Sequence, residues 1–273
     1  MREAARYMHG LSLHYYTIPN TWAKKGSATE FNEDEWFGTL KKAAVMDKII
    51  SDHAAIMDKF DPEKKIGLIV DEWGTWYDVE PNTNPGFLYQ QNSLRDALVA
   101  GMTLNIFNAH CDRVHIANLA QTINVLQSVA LTDGPRMVLT PTYHVFDLYQ
   151  QHQGATLLSC EVSHAAAYIL GDQQMPQLNV SASRGADGSI FVTVCNLDSH
   201  NAADVSVALA GITAVTQVAG RVISAAAMNA HNTFEQGSVV QPIALANTTV
   251  HGTQVALQLP PMSVAAVTCM THG

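Results

Sequence analysis

Short apolar runs and helix-like repeats alternate along the first 153 residues of the chain. Three of the runs have the length and composition of strands: GLSLHYY (10–16), IGLIVDEW (66–73) and VHIAN (114–118). The second run is apolar on both faces until it reaches Asp71, which is typical of a parallel strand covered by helices.

Helical periodicity fills the segments between these strands. Asn32 and Glu35 have the spacing of a helix start, and apolar residues then recur at three- and four-residue steps or their sum to about Phe60. Further helices are predicted over about 90–107 and 141–151. This alternation predicts an α/β layer or barrel, and three strands would supply part of a (β/α)8 TIM barrel. The predicted buried stripe of the first helix consists of Trp36, Leu40, Ala43, Met46, Ile50 and Met57.

After Gly154 the helical pattern stops and short, roughly alternating β-branched runs take over. Runs of this kind, separated by Gly, Asn and Asp, predict an antiparallel β-sandwich. We therefore expect two domains, residues 1–153 as part of a barrel and residues 154–273 as the sandwich. The predicted strands are LNVSAS (178–183), SIFVTVCNL (189–197), ADVSVALAG (203–211), GRVISAAA (220–227), QVALQLP (254–260) and SVAAVTCM (263–270).

Composition excludes several partners. The formal net charge of −9 and the absence of Lys/Arg runs argue against nucleic acid and anionic membranes, and no apolar run has the length of a membrane span. The four cysteines lie far apart without a CxxC pair, which agrees with a reducing compartment. No histidine spacing indicates a metal site and no phosphate-binding loop indicates a cofactor.

Glu72 is the first candidate for chemistry. A carboxylate at the carboxyl end of a buried parallel strand faces the mouth of a barrel, and Trp73 and Trp76 offer apolar faces that could stack on sugar rings. Adjacent strand residues point to opposite faces, so we expect at most one of Asp71 and Glu72 to point into that mouth. The alternative is a solvated acidic pair at a strand exit.

Polar residues also end the other two strands. His14 and Tyr16 share a face by the period of two, and either could orient the Glu72 carboxylate; a structural aromatic pair is the alternative. Asn118 and Gln121 could read sugar hydroxyls or could form a strand-to-helix turn.

Several long motifs in order resemble the α-L-arabinofuranosidases of glycoside hydrolase family 51. They are VDEWGTWYD (70–78), ALVAGMTLNIFNAHCDRVHIANLAQTINVLQS (97–128), GPRMVLTPTYHVFDLYQQHQGA (134–155), MNAHNTFEQ (228–236) and LPPMSVAAVTCM (259–270).

The resemblance implies a (β/α)8 barrel followed by a β-sandwich. It implies retaining hydrolysis of terminal α-L-arabinofuranosyl groups in arabinan or arabinoxylan oligosaccharides, without a cofactor, by an enzyme that is often cytoplasmic and commonly a homo-oligomer. Glu72 would be the nucleophile, and Gly74 stands where many members carry Asn. The substrate-binding residues implied by the resemblance are His14, Tyr16, Trp76 and Gln121.

Family members carry the general acid/base in an Asn-Glu motif at the end of an earlier strand, and here Asn32-Glu33 precedes a helix instead. We therefore expect the chain to be the C-terminal portion of such an enzyme, with only the last three barrel strands. On its own it should be inactive, and its unpaired sheet edges should favour aggregation or folding with a partner. Two alternatives are a non-catalytic carbohydrate-binding or assembly module and a related xylanase or β-glucosidase.

Overall fold

The computed structural model describes residues 1–164 and 166–272. Its first half contains three strands that form a parallel sheet, four α-helices, three short 3-10 helices and a β-hairpin. The first two strands pair from Gly10 and Gly67 to Thr17 and Thr75 with one bulge, and the third pairs with the second. In chain order the elements are β1 (Gly10–Thr17), α1 (Glu33–Ala43), α2 (Val45–Met57), β2 (Gly67–Thr75), α3 (Leu94–Ala109), β3 (Val114–Leu119), β4 (Ala130–Asp133), β5 (Arg136–Leu139) and α4 (Pro141–Tyr149).

The predicted long helix is wrong in one respect, because the segment folds as α1 and α2 with a break at Ala44. The predicted start is confirmed, since the Asn32 side chain accepts a hydrogen bond from the backbone N–H of Glu35. The predicted stripe is also confirmed, because all six of its residues are at most 1% exposed. The stripe continues from α1 to α2 because Ala44 keeps helical dihedral angles.

Helix α3 is buried almost all round because it lies between the parallel sheet and the sheet of the second half. It begins with a capping box, in which Ser93 and Asp96 satisfy each other's backbone N–H groups. Gly101 lets it approach the second sheet, since a Cβ there would lie 2.9 Å from the Sγ atom of Cys195.

The second half is a β-sandwich, as predicted. Its strands are β6 (Thr156–Leu158), β7 (Ala167–Leu170), β8 (Gln173–Pro176), β9 (Leu178–Arg184), β10 (Ile190–Asn196), β11 (Ala203–Ala208), β12 (Ala214–Ile223), β13 (Ile243–Ala244), β14 (Thr249–His251), β15 (Gln254–Leu259) and β16 (Ser263–His272). A six-stranded sheet in the order β13-β12-β16-β10-β9-β6 packs against a three-stranded sheet in the order β11-β15-β14, and apolar residues of both sheets fill the space between them.

A loop between β12 and β13 returns from the sandwich to the first half. The backbone carbonyl of Ala230 accepts a hydrogen bond from the N–H of Leu94, and the Asn232 side chain donates to the carbonyl of Leu139. The MNAHNTFEQ motif therefore packs on the barrel portion, and the two predicted domains share one of the two apolar cores. Their boundary at 153/154 stays a prediction.

Within the described ranges, no helix combines the length and the apolarity needed to cross a membrane.

Candidate active site

The Glu72 residue lies in the carboxyl-terminal half of β2, three residues before its last residue, Thr75, and beside the corresponding part of β1. In the paired strands His14 lies opposite Glu72, and Tyr16 lies opposite Gly74. The Tyr16 hydroxyl donates a 2.6 Å hydrogen bond to Oε2 of Glu72, and Nδ1 of His14 lies 3.6 Å from the same oxygen. The shared face predicted for His14 and Tyr16 from the period of two thus places both beside Glu72.

Asp71 corrects one sequence expectation. The register of β1 against β2 shifts between Leu13 and His14, so that Asp71 has no partner opposite it. Such a bulge breaks the simple alternation of faces. Asp71 accepts a hydrogen bond from the Ser12 hydroxyl, and its Oδ2 lies 3.7 Å from Nε2 of His14. The carboxylates of Asp71 and Glu72 therefore both lie within 4 Å of the His14 imidazole, on the same face of the sheet.

The two tryptophans after Glu72 have different environments. The Trp76 ring stands edge-on to Tyr16 at 5.0 Å between centroids and to Trp22 at 5.1 Å. Trp73 is 1% exposed and packs against Phe107 and Phe146 in the core, so it does not wall the site.

Sequence reasoning missed two residues that contact Trp76, namely Trp22 and Lys25. Trp22 is 65% exposed, and Nζ of Lys25 lies 5.3 Å from the ring centroids of both Trp22 and Trp76. Both residues belong to the loop after β1, which has no periodicity that could have revealed them. A Trp and a Lys three positions apart, just after a candidate strand, were the available signal.

A buried polar network holds the end of β2. The Asp96 carboxylate accepts hydrogen bonds from the hydroxyls of Thr75 (2.5 Å) and Tyr77 (3.0 Å). The amide oxygens of Gln127 and Gln90 accept from the backbone N–H groups of Thr75 and Tyr77. Because these partners are buried, the backbone is fixed on both sides of Trp76, just after the segment that carries Glu72.

Gln121 lies two residues beyond β3. The preceding residue, Ala120, donates its backbone N–H to the carbonyl of Trp73, so that Gln121 follows the strand at the edge of the sheet where Glu72 stands. Its side chain is exposed and makes no hydrogen bond to the other candidate residues within the described part of the chain. Asn118 is also exposed.

Burial raises the pKa of Tyr16 well above its ordinary value, and the hydrogen bond to Glu72 and the charge of that carboxylate raise it further. The Tyr16 hydroxyl therefore remains a proton donor to Glu72 throughout the neutral range. The described residues include no cluster of three or more His, Cys, Asp or Glu side chains that could hold a metal ion.

The family described as "Alpha-L-arabinofuranosidase C-terminal domain" matches residues 71–263. The chain belongs to this family, in the glycoside hydrolase family 51 arabinofuranosidases. The crystal structure of the family 51 arabinofuranosidase from Xanthomonas axonopodis pv. citri superposes with a TM-score of 0.96 at 48% identity, covering 98% of this chain and 54% of that one. The fold is thus the last three strands of a (β/α)8 barrel followed by a β-sandwich, as predicted.

Two curated relatives carry the family's activity in their names. The intracellular exo-α-L-arabinofuranosidase of Bacteroides ovatus is 39% identical over 98% of this chain and 52% of its own length. The intracellular exo-α-(1→5)-L-arabinofuranosidase of Streptomyces lividans is 24% identical over 98% of this chain and 41% of its own length. The chain spans about half the length of these relatives.

Proposed function

We propose that this chain forms the nucleophile-bearing part of a retaining α-L-arabinofuranosidase, which releases terminal α-L-arabinofuranosyl groups from arabinan or arabinoxylan oligosaccharides. The observation that carries the proposal is the 2.6 Å hydrogen bond from the Tyr16 hydroxyl to the Glu72 carboxylate near the carboxyl ends of two parallel strands. In a retaining glycosidase one carboxylate attacks the anomeric carbon and forms a covalent glycosyl-enzyme. A phenol that donates to that carboxylate holds it aimed at the sugar.

The other candidate residues receive binding roles. His14, between the two acids, would donate to Glu72 or to a sugar hydroxyl, and Trp76 would lay its ring against the apolar face of the furanose. The exposed amide of Gln121 can both donate to and accept from hydroxyl groups.

A retaining mechanism also needs a general acid, and the two carboxyl groups flank the scissile bond about 5–5.5 Å apart. Asp71 directly precedes Glu72 and shares His14 with it, so it would approach the sugar from the same side. Glu33 is hydrogen-bonded to Tyr168, Ser199 and His200 at the start of α1. We therefore propose that the 273-residue chain alone has little or no turnover.

Two aryl glycosides test the roles separately. A 2,4-dinitrophenyl α-L-arabinofuranoside has a leaving group that needs no protonation, so we expect one pentosyl adduct on Glu72, found by peptide mass spectrometry and absent from Glu72→Gln. A 4-nitrophenyl α-L-arabinofuranoside should not be turned over.

An adduct on another residue would refute the nucleophile assignment. Turnover of the 4-nitrophenyl glycoside that disappears in Glu72→Ala would refute the proposal that the chain alone is inactive. Sugar binding without an adduct would favour the non-catalytic binding module.

The location is proposed from the names of two relatives, and the assembly from the resemblance to the family. The word "intracellular" in the names of two relatives supports a cytoplasmic location for this chain. We also propose a homo-oligomer for the enzyme that contains this chain, which sedimentation analysis can test.

A further inference from the structure

A groove of about 860 Å3 lies beside Gln121, outside the cluster around Glu72. Its walls come from the loop 83–89, from Gln121, from Asn124 and Val125, from the end of β4 (Thr132 and Asp133) and from Phe234. Nothing in the proposed function uses this groove apart from Gln121. We infer that the groove binds the neutral glycan chain to which the released arabinofuranosyl group is attached. The inference rests on the proposed function, since Gln121 belongs to both sites.

The aromatic lining favours a sugar chain. Phe87 is 70% exposed, and Tyr89 and Phe234 are partly exposed in the same groove. The Arg136 guanidinium covers one face of Phe234, 4.7 Å from the ring centroid, whereas Phe87 leaves an apolar face in water. The C–H face of a sugar ring covers such a face without needing charge.

The charge of the groove favours a neutral ligand. Asp133 is the single charged residue among the described groove-lining residues, and Arg136 forms an ion pair with it. Arg136 lies over the Phe234 ring, but Asp133 and Glu235 both pair with it and balance its charge. A phosphorylated or acidic ligand would therefore have to compete with these two acids, and a cationic ligand would compete with Arg136 for Asp133.

The walls are held in place by their own hydrogen bonds. The backbone N–H of Leu126 donates to the carbonyl of Leu88 at 3.0 Å, which joins the two loops at the base of the groove. The Asn124 side chain accepts from the N–H of Thr132 at 2.7 Å and donates to its hydroxyl at 2.9 Å. A site with fixed walls loses little entropy when a ligand binds.

Gln121 connects the groove with the candidate active site. It lines the groove, and it follows β3 at the edge of the sheet where Glu72 stands. A glycan whose terminal furanose lies against Glu72 and Trp76 could therefore pass its next sugars over Gln121 toward Phe87 and Phe234.

Binding of a series of sugars to the purified 273-residue chain tests the inference. The probes are L-arabinose and linear α-1,5-linked arabino-oligosaccharides of two to four units, titrated by isothermal calorimetry. We expect affinity to rise about tenfold from the monosaccharide to the longer oligosaccharides. Phe87→Ala and Phe234→Ala should remove this rise while changing L-arabinose affinity less than about twofold. Phe60→Ala, which truncates a 40% exposed phenylalanine outside the groove lining, should keep it.

The outcomes separate the groove from the catalytic proposal. The inference about the groove would be overturned by an affinity that does not depend on oligosaccharide length. It would also be overturned by a rise of affinity with length that survives both Phe87→Ala and Phe234→Ala. The same holds if Phe87→Ala changes only the sedimentation of the chain, since the groove would then bind a second copy. Absent L-arabinose binding combined with Phe87-dependent binding of the tetrasaccharide would refute the pocket at Glu72 and still support the groove.

Discussion

The Tyr16 hydroxyl and the Glu72 carboxylate join two neighbouring parallel strands through one 2.6 Å hydrogen bond. Burial, this bond and the charge of Glu72 together raise the pKa of Tyr16. Glu72→Gln removes the charge and weakens the bond, so the pKa of Tyr16 should fall toward its ordinary value of about 10 but stay above it, because burial remains. Titration of Cζ-labelled tyrosine by NMR measures this change.

Asp71→Asn is the matched control for that experiment. It removes the same charge one residue away, from a carboxylate that bonds to Ser12 and not to Tyr16. An equal fall of the Tyr16 pKa in both variants would mean that the bond to Glu72 has no specific effect.

Glu33 ties the start of α1 to the sandwich. Its Oε1 accepts from the Ser199 hydroxyl (2.6 Å) and the Tyr168 hydroxyl (2.7 Å), and its Oε2 lies 2.9 Å from Nε2 of His200. Burial raises the pKa of Glu33, but the three hydrogen bonds outweigh it and lower the pKa below its ordinary value. The folded state therefore gains stability from ionised Glu33 above the unfolded pKa of about 4.3, and this gain is lost as pH falls through the folded pKa.

We expect Glu33→Gln to lower the free energy of unfolding by about 1–2 kcal/mol at neutral pH and to flatten its decline in acid. Urea unfolding at several pH values measures both effects. Asp34→Asn serves as the control, since Asp34 is an exposed acid in the same first turn. A loss in Asp34→Asn as large as that in Glu33→Gln would assign the effect to the helix end instead of the contacts with the sandwich.

The burial of His152 leads us to expect a second pH dependence of stability, in a different pH range from that of Glu33. Burial lowers the pKa of His152 to about 4, while its ring nitrogens contact the hydroxyls of Ser183 (2.7 Å) and Thr193 (3.1 Å). The unfolded chain binds this proton near pH 6.5, so stability should fall as pH drops from about 6.5 to about 4, by up to about 3 kcal/mol.

His152→Gln should remove that slope, as judged by unfolding between pH 7 and pH 4. Thr193→Val should lower stability but keep the slope, because it removes a hydrogen-bond partner and leaves the imidazole in place. A slope that survives in His152→Gln would show that other groups cause it.

Gly74 occupies a backbone conformation that favours glycine. Its φ angle is +145°, and a Cβ there would lie 3.2 Å from Oε1 of Gln127. Gly74→Ala and Gly74→Asn should each lower the free energy of unfolding by about 1–3 kcal/mol. Gly38→Ala is the control, because Gly38 lies in α1 with open space around it, and it should be neutral or slightly stabilising. Thermal unfolding compares the three variants, and a neutral Gly74→Asn would contradict the strain argument.

Local patterns predicted what depends on local periodicity. The stripe from Trp36 to Met57 and the shared face of His14 and Tyr16 follow from repeats of about 3.6 and of 2 residues, and the structure has both. Acidic residues that follow an apolar run could be found in the same way, which is why Glu72 was visible, although β2 continues to Thr75.

The remaining features depend on contacts between distant residues. The bulge at Asp71 arises from the pairing of β1 with β2, so no pattern within 66–73 reveals it. Trp22 and Lys25 reach Trp76 through an irregular loop, and the groove beside Gln121 needs segments from three parts of the chain. The break at Ala44 left no signal either, since the apolar stripe runs through it.

The loop that carries Ala230 and Asn232 has a consequence for recombining members of this family. Because it leaves the sandwich, bonds to Leu94 and Leu139 and then returns, a chimera joined once near residue 153 would bring a foreign loop against a native barrel. A hybrid that keeps these hydrogen bonds needs the loop 225–240 and its partners Leu94 and Leu139 from the same parent. The unit of exchange between relatives is therefore discontinuous in the gene, although it is continuous in space.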